Sequence, residues 1–399
     1  MQAKTQPMML SGIKVLDFGR LIAAPFVGQV LSDLGADVIK IEQPVVGDQT
    51  RATSANAGKS SLFTTLNRNK RSLAIDLAHP QAKLVFSKLL PSVDVVVHNF
   101  RVGAMERRGL APTDIWKINP RVVCCSISGF GDGPLRERPA NDVIIQAFAG
   151  LMSFTGDSSG PYVRVPVPVA DYTAGFYGLI GILSALVERN MTGRGRLIET
   201  SLVESLLTLE GMHMADYLKS GQLPPRLASA NVLEQPNEAF PTSDGAIVIA
   251  ITSTEMWRRC ARAIGAENLA DDPRYATRYD RLQHKDELGA LVGAYTSKMN
   301  TLDCAAALEA ADVICSPIQT LADVANHPHI RALGILQRAG DLDPEIVTSA
   351  LTIDGVRPKP QRPAPALGQD ARDILDEASF SASEIQQLYD AGVVFPSKS

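Results

Sequence analysis

Cysteine is scarce. The five cysteines (Cys124, Cys125, Cys260, Cys304 and Cys315) form an odd set with no C-x-x-C pair, which argues against a disulfide framework and a zinc site. The six histidines are scattered without ligand spacing, so no metal is expected. No run approaches the ~20 apolar residues needed to cross a bilayer. The opening MQAKTQPMMLSGIKVLDF lacks an apolar stretch followed by a small-residue cleavage site. A cytoplasmic protein without a membrane role is the expectation. A dominant charge is lacking too. Lys plus Arg number 39 against 43 Asp plus Glu, a net −4, which excludes a globally basic nucleic-acid binder. With 45% hydrophobic and 21% charged residues, the 399-residue chain has an ordinary globular composition and room for two or three domains.

The balance hides an asymmetry. Residues 51–138 carry 14 basic against six acidic side chains, an excess of +8, so the rest of the chain is −12. Two basic motifs stand out: NRNKR (67–71) before a strand-like run, and NFRVGAMER (99–107) after one. In open α/β sheets ligands gather at the carboxyl ends of strands. Arg and Lys there suit a phosphorylated ligand, and Phe100 offers a stacking face for a base. The plainer reading is a solvated charged face.

The first half alternates apolar strands (14–18, 36–42, 72–77, 93–99, 122–127) with helices (25–34, 80–90). That alternation predicts an α/β fold, a Rossmann-like parallel sheet covered on both faces. The turn after the first strand, GRLIAAP, lacks G-x-G-x-x-G, which argues against a nicotinamide cofactor. Helices 143–154 and 174–188 follow; the second is apolar nearly all round, a buried helix of about 15 residues. A further strand and helix end near Gly211. Residues 220–241 are rich in Pro, Asn and Ser and read as a linker. Strand 246–251, helix 255–264 and polar helices to about 312 suggest a smaller α+β domain. PKPQRPAP (358–365) reads as a second linker before a helical tail.

Three motifs invite chemistry. Gly156-Asp157-Ser158-Ser159-Gly160 matches a nucleophile elbow, but a helix precedes it and Pro161 follows, so it reads as a loop. Gly58-Lys59-Ser60 imitates a phosphate loop, yet Thr53 replaces its first glycine. Cys124 and Cys125 lie in RVVCCSISGF, where free cysteine behaves as a small apolar residue. VRVPVPVADYTAG (163–175) is more informative, because it delivers Asp171 to the start of the buried helix. Spacing alone favours an N-cap. The alternative is a carboxylate kept from water at a helix N-terminus, able to attack an activated acyl group.

KVLDFGRLIAAPFVGQVLSDLGADVIKIEQPVVGD, LNRNKRSLAIDL, VDVVVHNFRVGAMERRGL, SISGFGDGP, VPVADYTAG, FPTSDGAIVIAIT, DDPRYATRYDR, CSPIQTLADVANHPHI and PAPALGQD occur in the order seen in class III CoA-transferases. Through them nearly the whole chain resembles this CaiB/BaiF-like group of formyl-CoA transferase, carnitine-CoA transferase and α-methylacyl-CoA racemase. The resemblance implies a Rossmann-like large domain built from both chain ends, a smaller α+β domain between, and an interlocked homodimer. The implied boundaries are 1–219, a linker at 220–241, the small domain at 242–330, and 331–399 returning to the large domain. It implies that Asp171 attacks an acyl-CoA thioester, giving a mixed anhydride and then an enzyme–CoA thioester. Coenzyme A and acyl-CoA are then substrates, with a free carboxylic acid as the other partner and no permanent cofactor. Implied CoA contacts are Ala23, Gln43, Ile75, Asn99, Phe100, Arg101, Arg107 and Arg138.

Two departures sharpen the expectation. The racemase branch carries a catalytic His in the segment matching PAND, where this chain has Asn141. Formyl-CoA transferase has a Gln in its first turn and a Gly-rich loop in the linker; here Ile22 and no Gly run stand there. Transfer between other carboxylates, with succinyl-CoA or another short acyl-CoA as donor, is therefore preferred. Arg20 or Arg164 are candidates to pair a second carboxylate. The alternatives are an α-methylacyl-CoA racemase and a non-catalytic CoA-binding relative.

Overall fold

A computed structural model describes residues 8–52, 60–340 and 344–397. The first strands are short and almost wholly buried: β1 (Lys14–Asp17), β2 (Asp37–Glu42), β3 (Arg71–Ile75), β4 (Val95–His98) and β5 (Val123–Ser128), with β6 (Leu197–Ser201) at the edge. Runs such as VVVH cannot expose either face cheaply, so helices cover both. The helices that follow the strands are α1 (Ala23–Asp33), α2 (Ser61–Asn67), α3 (Ala82–Leu89), α4 (Pro112–Ile118) and α5 (Asp142–Ala149), of which α2 packs on α1. The strands pair in parallel in the order β3-β2-β1-β4-β5-β6. The order reverses beside β1, which opens a crevice at the carboxyl ends of β1 and β4.

The chain groups into two compact units. The first comprises residues 1–149, 165–220 and 329–399; the second comprises 150–164 and 221–328. The predicted helix 143–154 is in fact two. Gly150, at φ +108°, ends α5, and α6 (Leu151–Phe154) starts the excursion into the second unit. There Arg226 gathers the carbonyls of Ser158, Gly160 and Pro161 at 2.9–3.0 Å, and the GDSSG motif is a turn closed by Asp157 on Ser159.

The chain then forms α7 (Val169–Thr192), α8 (Leu202–Leu209) and α9 (Gly211–Ser220). Helix α7 runs 24 residues, against the predicted 174–188, long and apolar enough in composition to cross a membrane. Pro166 and Pro168 masked its start, because it begins directly behind Pro168, where a missing N–H costs nothing. Ala174, Gly178, Ile182 and Ala185 bury one stripe of it within the first unit. Gly175 sets its approach to α1: a Cβ there would lie 2.7 Å from the Phe26 ring and 3.0 Å from the Ala23 carbonyl.

In the second unit β7 (Asn237–Pro241), β8 (Ala246–Ala250) and β9 (Ile314–Pro317) form an antiparallel sheet, so the supposed linker 220–241 ends in a strand. Trp257, Ile247, Ile249, Leu288, Val292 and Leu308 fill its core, each worth roughly 1.5–3 kcal/mol when fully buried. The C-terminal residues return to the first unit. After the hairpin β10 (Leu336–Gln337) and β11 (Ile346–Val347), β12 (Val394–Phe395) adds antiparallel to β3.

Candidate active site

The site begins with a turn that charge holds from beneath. Asp17, last in β1, accepts from the Gly19 N–H through Oδ1 at 2.7 Å and pairs with Lys70 through Oδ2 at 2.7 Å. Lys70 also donates to the Pro25 carbonyl at 2.8 Å and to Asn67 Oδ1 at 3.0 Å. Lys40 donates to the Gly19 carbonyl at 2.9 Å and pairs with Asp48 at 2.9 Å. Asp17, Lys40 and Lys70 are wholly buried. Burial pushes Lys70 down to about 8 against the opposing pull of Asp17. Burial acts likewise on Lys40, but Asp17, Asp48 and Glu42 more than offset it and hold Lys40 above its ordinary value.

This network corrects the reading of NRNKR as a ligand surface. Arg68 bonds Asp33 through Nε at 3.0 Å, Lys70 pairs with Asp17, and Arg71 bonds Asp37 and Glu377. Arg51 and Lys88 are taken by Glu42 and Glu384. All these carboxylates lie outside residues 51–138, so much of the +8 excess is cancelled inside the fold. Within NFRVGAMERR, Arg101, Arg107 and Arg108 have no ion pair among the described residues. Gly58 and Lys59 of the GKS motif lie outside the described residues, as does Thr53.

Asn99, just beyond β4, clamps the turn from the side. Its Oδ1 accepts from the Arg20 N–H and its Nδ2 donates to the Arg20 carbonyl, both at 2.8 Å. Leu21 next to it sits at φ +61°, a conformation that costs a branched side chain about 1–2 kcal/mol. Both amide groups of Asn99 are thus occupied by backbone. Replacing it with Ala removes two hydrogen bonds that hold a strained turn, worth roughly 1 kcal/mol each. We expect a fall in kcat of about 10- to 100-fold with little change in KM for acyl-CoA. A rise in KM alone would instead mark Asn99 as a ligand contact.

Asp171 is not an N-cap. Pro168 occupies that place and Asp171 lies in the first turn of α7. A free N–H at the start of α7 is instead served by Asp142, whose Oδ1 accepts from Ala170 at 2.8 Å. Asp142 Oδ2 accepts from Gln146 at 2.6 Å, and buried Gln146 exchanges two bonds with the Val165 backbone. Among the described residues no donor reaches the Asp171 carboxylate. Burial, and then the neighbouring Asp142 charge, push it up to about 7. The helix N-terminus works in the other direction and is outweighed.

A cavity of about 380 Å³ brings together Asp171, Ala23, Asn99, Phe100, Arg101 and Arg138 at the carboxyl ends of β1, β4 and β5. A neighbouring cavity of about 120 Å³ holds Gln43 and Ile75, and Arg20 and Phe100 line both. Arg138 stacks beside Phe130 at 5.3 Å and Phe148 at 5.9 Å. Arg107 is exposed and lies over Gly103, away from both cavities, whereas its neighbour Arg108 faces the smaller one. Arg164 is exposed in the second unit. Asn141 lines the Asp171 cavity and caps α5, accepting from the Ile144 N–H at 3.2 Å. Sequence reasoning assigned no role to Arg108, Asp142 or Gln146, although the basic doublet at 107–108 contains the first and the PAND segment the second. Cys124 and Cys125 are buried and pushed up to about 12 by burial, which leaves them protonated and inert.

Comparison with known proteins shows the family. The sequence profile of CoA-transferase family III matches residues 10–371. The chain is 34% identical to succinate–glutarate CoA-transferase of Agrobacterium fabrum, over 92% of this chain and 95% of that one. It is 31% identical to succinyl-CoA–D-citramalate CoA-transferase of Chloroflexus aurantiacus, over 94% and 96%. A crystal structure of a CaiB/BaiF family protein from Brucella suis superposes with a TM-score of 0.86 at 32% identity, covering 94% of this chain and all of that one. An acidic side chain on a Rossmann-like cavity wall, a basic cavity rim and full-length similarity converge: the chain belongs to CoA-transferase family III.

Proposed function

We propose that the protein moves CoA between short dicarboxylic acids, with succinyl-CoA as donor and Asp171 as the covalent nucleophile. The observation that carries this reading is the Asp171 carboxylate, without a donor among the described residues, on a cavity wall and pushed up to about 7 by burial. A carboxylate stripped of donors keeps its nucleophilicity, and its raised value still leaves it ionised above neutrality. Its oxygen attacks the thioester carbonyl, the C–S bond breaks, and CoA leaves as thiolate with an acyl–aspartyl anhydride behind. The thiolate then attacks the aspartyl carbonyl and releases the donor acid, leaving an aspartyl–CoA thioester. The acceptor carboxylate attacks that thioester, forming a second anhydride and thiolate. Thiolate attack on the acceptor acyl group yields the new acyl-CoA and restores Asp171. No water enters the balance.

In this reading Ala23 lies near the thioester, and Gln43, Ile75 and Phe100 offer walls for the base. Arg101 and Arg138 serve phosphates, and Arg107 remains a candidate only through movement of its exposed side chain. The names of the relatives support a succinyl donor. The cavity's place for the racemase histidine is Asn141, engaged as a helix cap, which supports transfer over α-proton exchange. A homodimer fits Leu209, Met212 and Leu218, exposed by 59%, 64% and 74% on α8 and α9.

A mass-spectrometric screen of CoA donors against carboxylate acceptors tests the reaction. New acyl-CoA is expected with succinyl-CoA and a C4–C6 dicarboxylate, and hydroxylamine should trap the aspartyl thioester as a hydroxamate on Asp171. Deuterium exchange at an acyl α-carbon without an acceptor would replace this reading with racemisation.

A further inference from the structure

The smaller cavity brings two cations onto one aromatic ring. Arg20 places its guanidinium 4.8 Å from the centroid of Phe100, and Arg108 places its own 5.7 Å from the same ring. Both side chains line that cavity. Other charges around it are already engaged. Glu42 is held bidentately by Arg51 at 2.7 and 2.8 Å, Lys40 and Asp48 pair at 2.9 Å, and Asp76 accepts from the Ala78 N–H at 2.9 Å. Among the described residues, neither Arg20 nor Arg108 forms an ion pair with a carboxylate. Arg108 spends Nη1 on the Ala104 carbonyl, but its Nε is buried and unpartnered. A buried charged donor without an acceptor is unfavourable, and an anionic ligand is the chemistry that would satisfy it.

We propose that Arg20 and Arg108 together clamp a phosphate group at the nucleotide end of CoA, across the face of Phe100. The inference rests on the CoA-transferase reading and adds the residues that grip the cofactor-sized substrate. The two guanidiniums share one ring and repel each other: burial first, and then the Arg108 charge, depress Arg20 despite the attraction of Asp48. A phosphate between them relieves that repulsion and satisfies the idle Arg108 Nε; a single cation would do neither. The 3′-phosphate and the diphosphate share this chemistry, and analogues of CoA separate them.

Calorimetric titration of the full-length protein with CoA, dephospho-CoA and pantetheine tests the clamp without relying on turnover. Arg20→Gln and Arg108→Gln should each weaken CoA binding by about tenfold or more, the loss expected for a charge-assisted bond. Arg108→Lys should recover part of it, and equal melting temperatures would show that the variants fold. A weakened CoA affinity with unchanged dephospho-CoA affinity assigns the clamp to the 3′-phosphate. Equal loss for both nucleotides, with pantetheine unaffected, assigns it to the diphosphate. Unchanged CoA affinity in both Gln variants overturns the clamp, as does an equal loss for pantetheine. Failure of the unaltered protein to bind CoA would instead overturn the CoA-transferase reading.

Discussion

Replacing Asp171 with Asn should abolish CoA transfer, lowering kcat by about 10⁴-fold or more, as loss of a covalent nucleophile does. The substitution removes the carboxylate oxygen proposed to attack the thioester and leaves the shape of the cavity intact. CoA affinity should change little, because the phosphates are held elsewhere, and no hydroxamate should form at that position. Residual turnover within tenfold of the unaltered enzyme would remove Asp171 from the mechanism. The pH profile is a second arm of the same test. With the free carboxyl titrating at about 7, log kcat/KM should rise with unit slope up to that pH and flatten above it. Stability should run the other way. A carboxyl whose value is raised on folding favours the folded state below its unfolded value, and that contribution is lost as pH rises through 7. At pH 8 the Asn variant should therefore unfold later than the unaltered protein, by about 1–3 kcal/mol. A variant that is both dead and more stable is the signature of a strained functional group.

Lys70→Met should produce the largest loss of stability, about 3–5 kcal/mol in urea unfolding at neutral pH. The lysine and its partner Asp17 are fully buried at 2.7 Å, so removing one charge strands the other. It also releases the Pro25 carbonyl at the start of α1 and the Asn67 amide. Because Asp17 fixes the Gly19 N–H, the turn carrying Arg20 and Leu21 should loosen as well, lowering kcat/KM. Adding Asp17→Asn to Lys70→Met should restore part of the stability, a coupling that a double-mutant cycle reads directly. A loss below 1 kcal/mol would mean that the pair is not held as described.

Periodicity along the chain predicted the parallel sheet well, because apolar runs such as VVVH and DVIKIE have one stable environment, between two layers of helix. It misplaced the start of α7, where prolines ended the apolar pattern while still permitting a first turn. It also joined α5 to α6, since composition does not report that Gly150 reverses the backbone. The motif containing Asp171 was legible, but the N-cap role suggested by its spacing was not realised, because Pro168 and Asp142 serve that helix end instead.

The amino-acid order by itself determined the layered α/β architecture, the family and the identity of the candidate nucleophile, all properties of local pattern and motif. Charge at the site was decided by tertiary structure alone. Counting gave residues 51–138 an excess of +8, yet Arg51, Arg68, Lys70, Arg71 and Lys88 find carboxylates distant in sequence. Among the described residues, Arg20, Arg101, Arg108 and Arg138 around Phe100 and Asp171 form no ion pair. Electrostatic pairing depends on distance in space and on burial, and neither is written in the sequence.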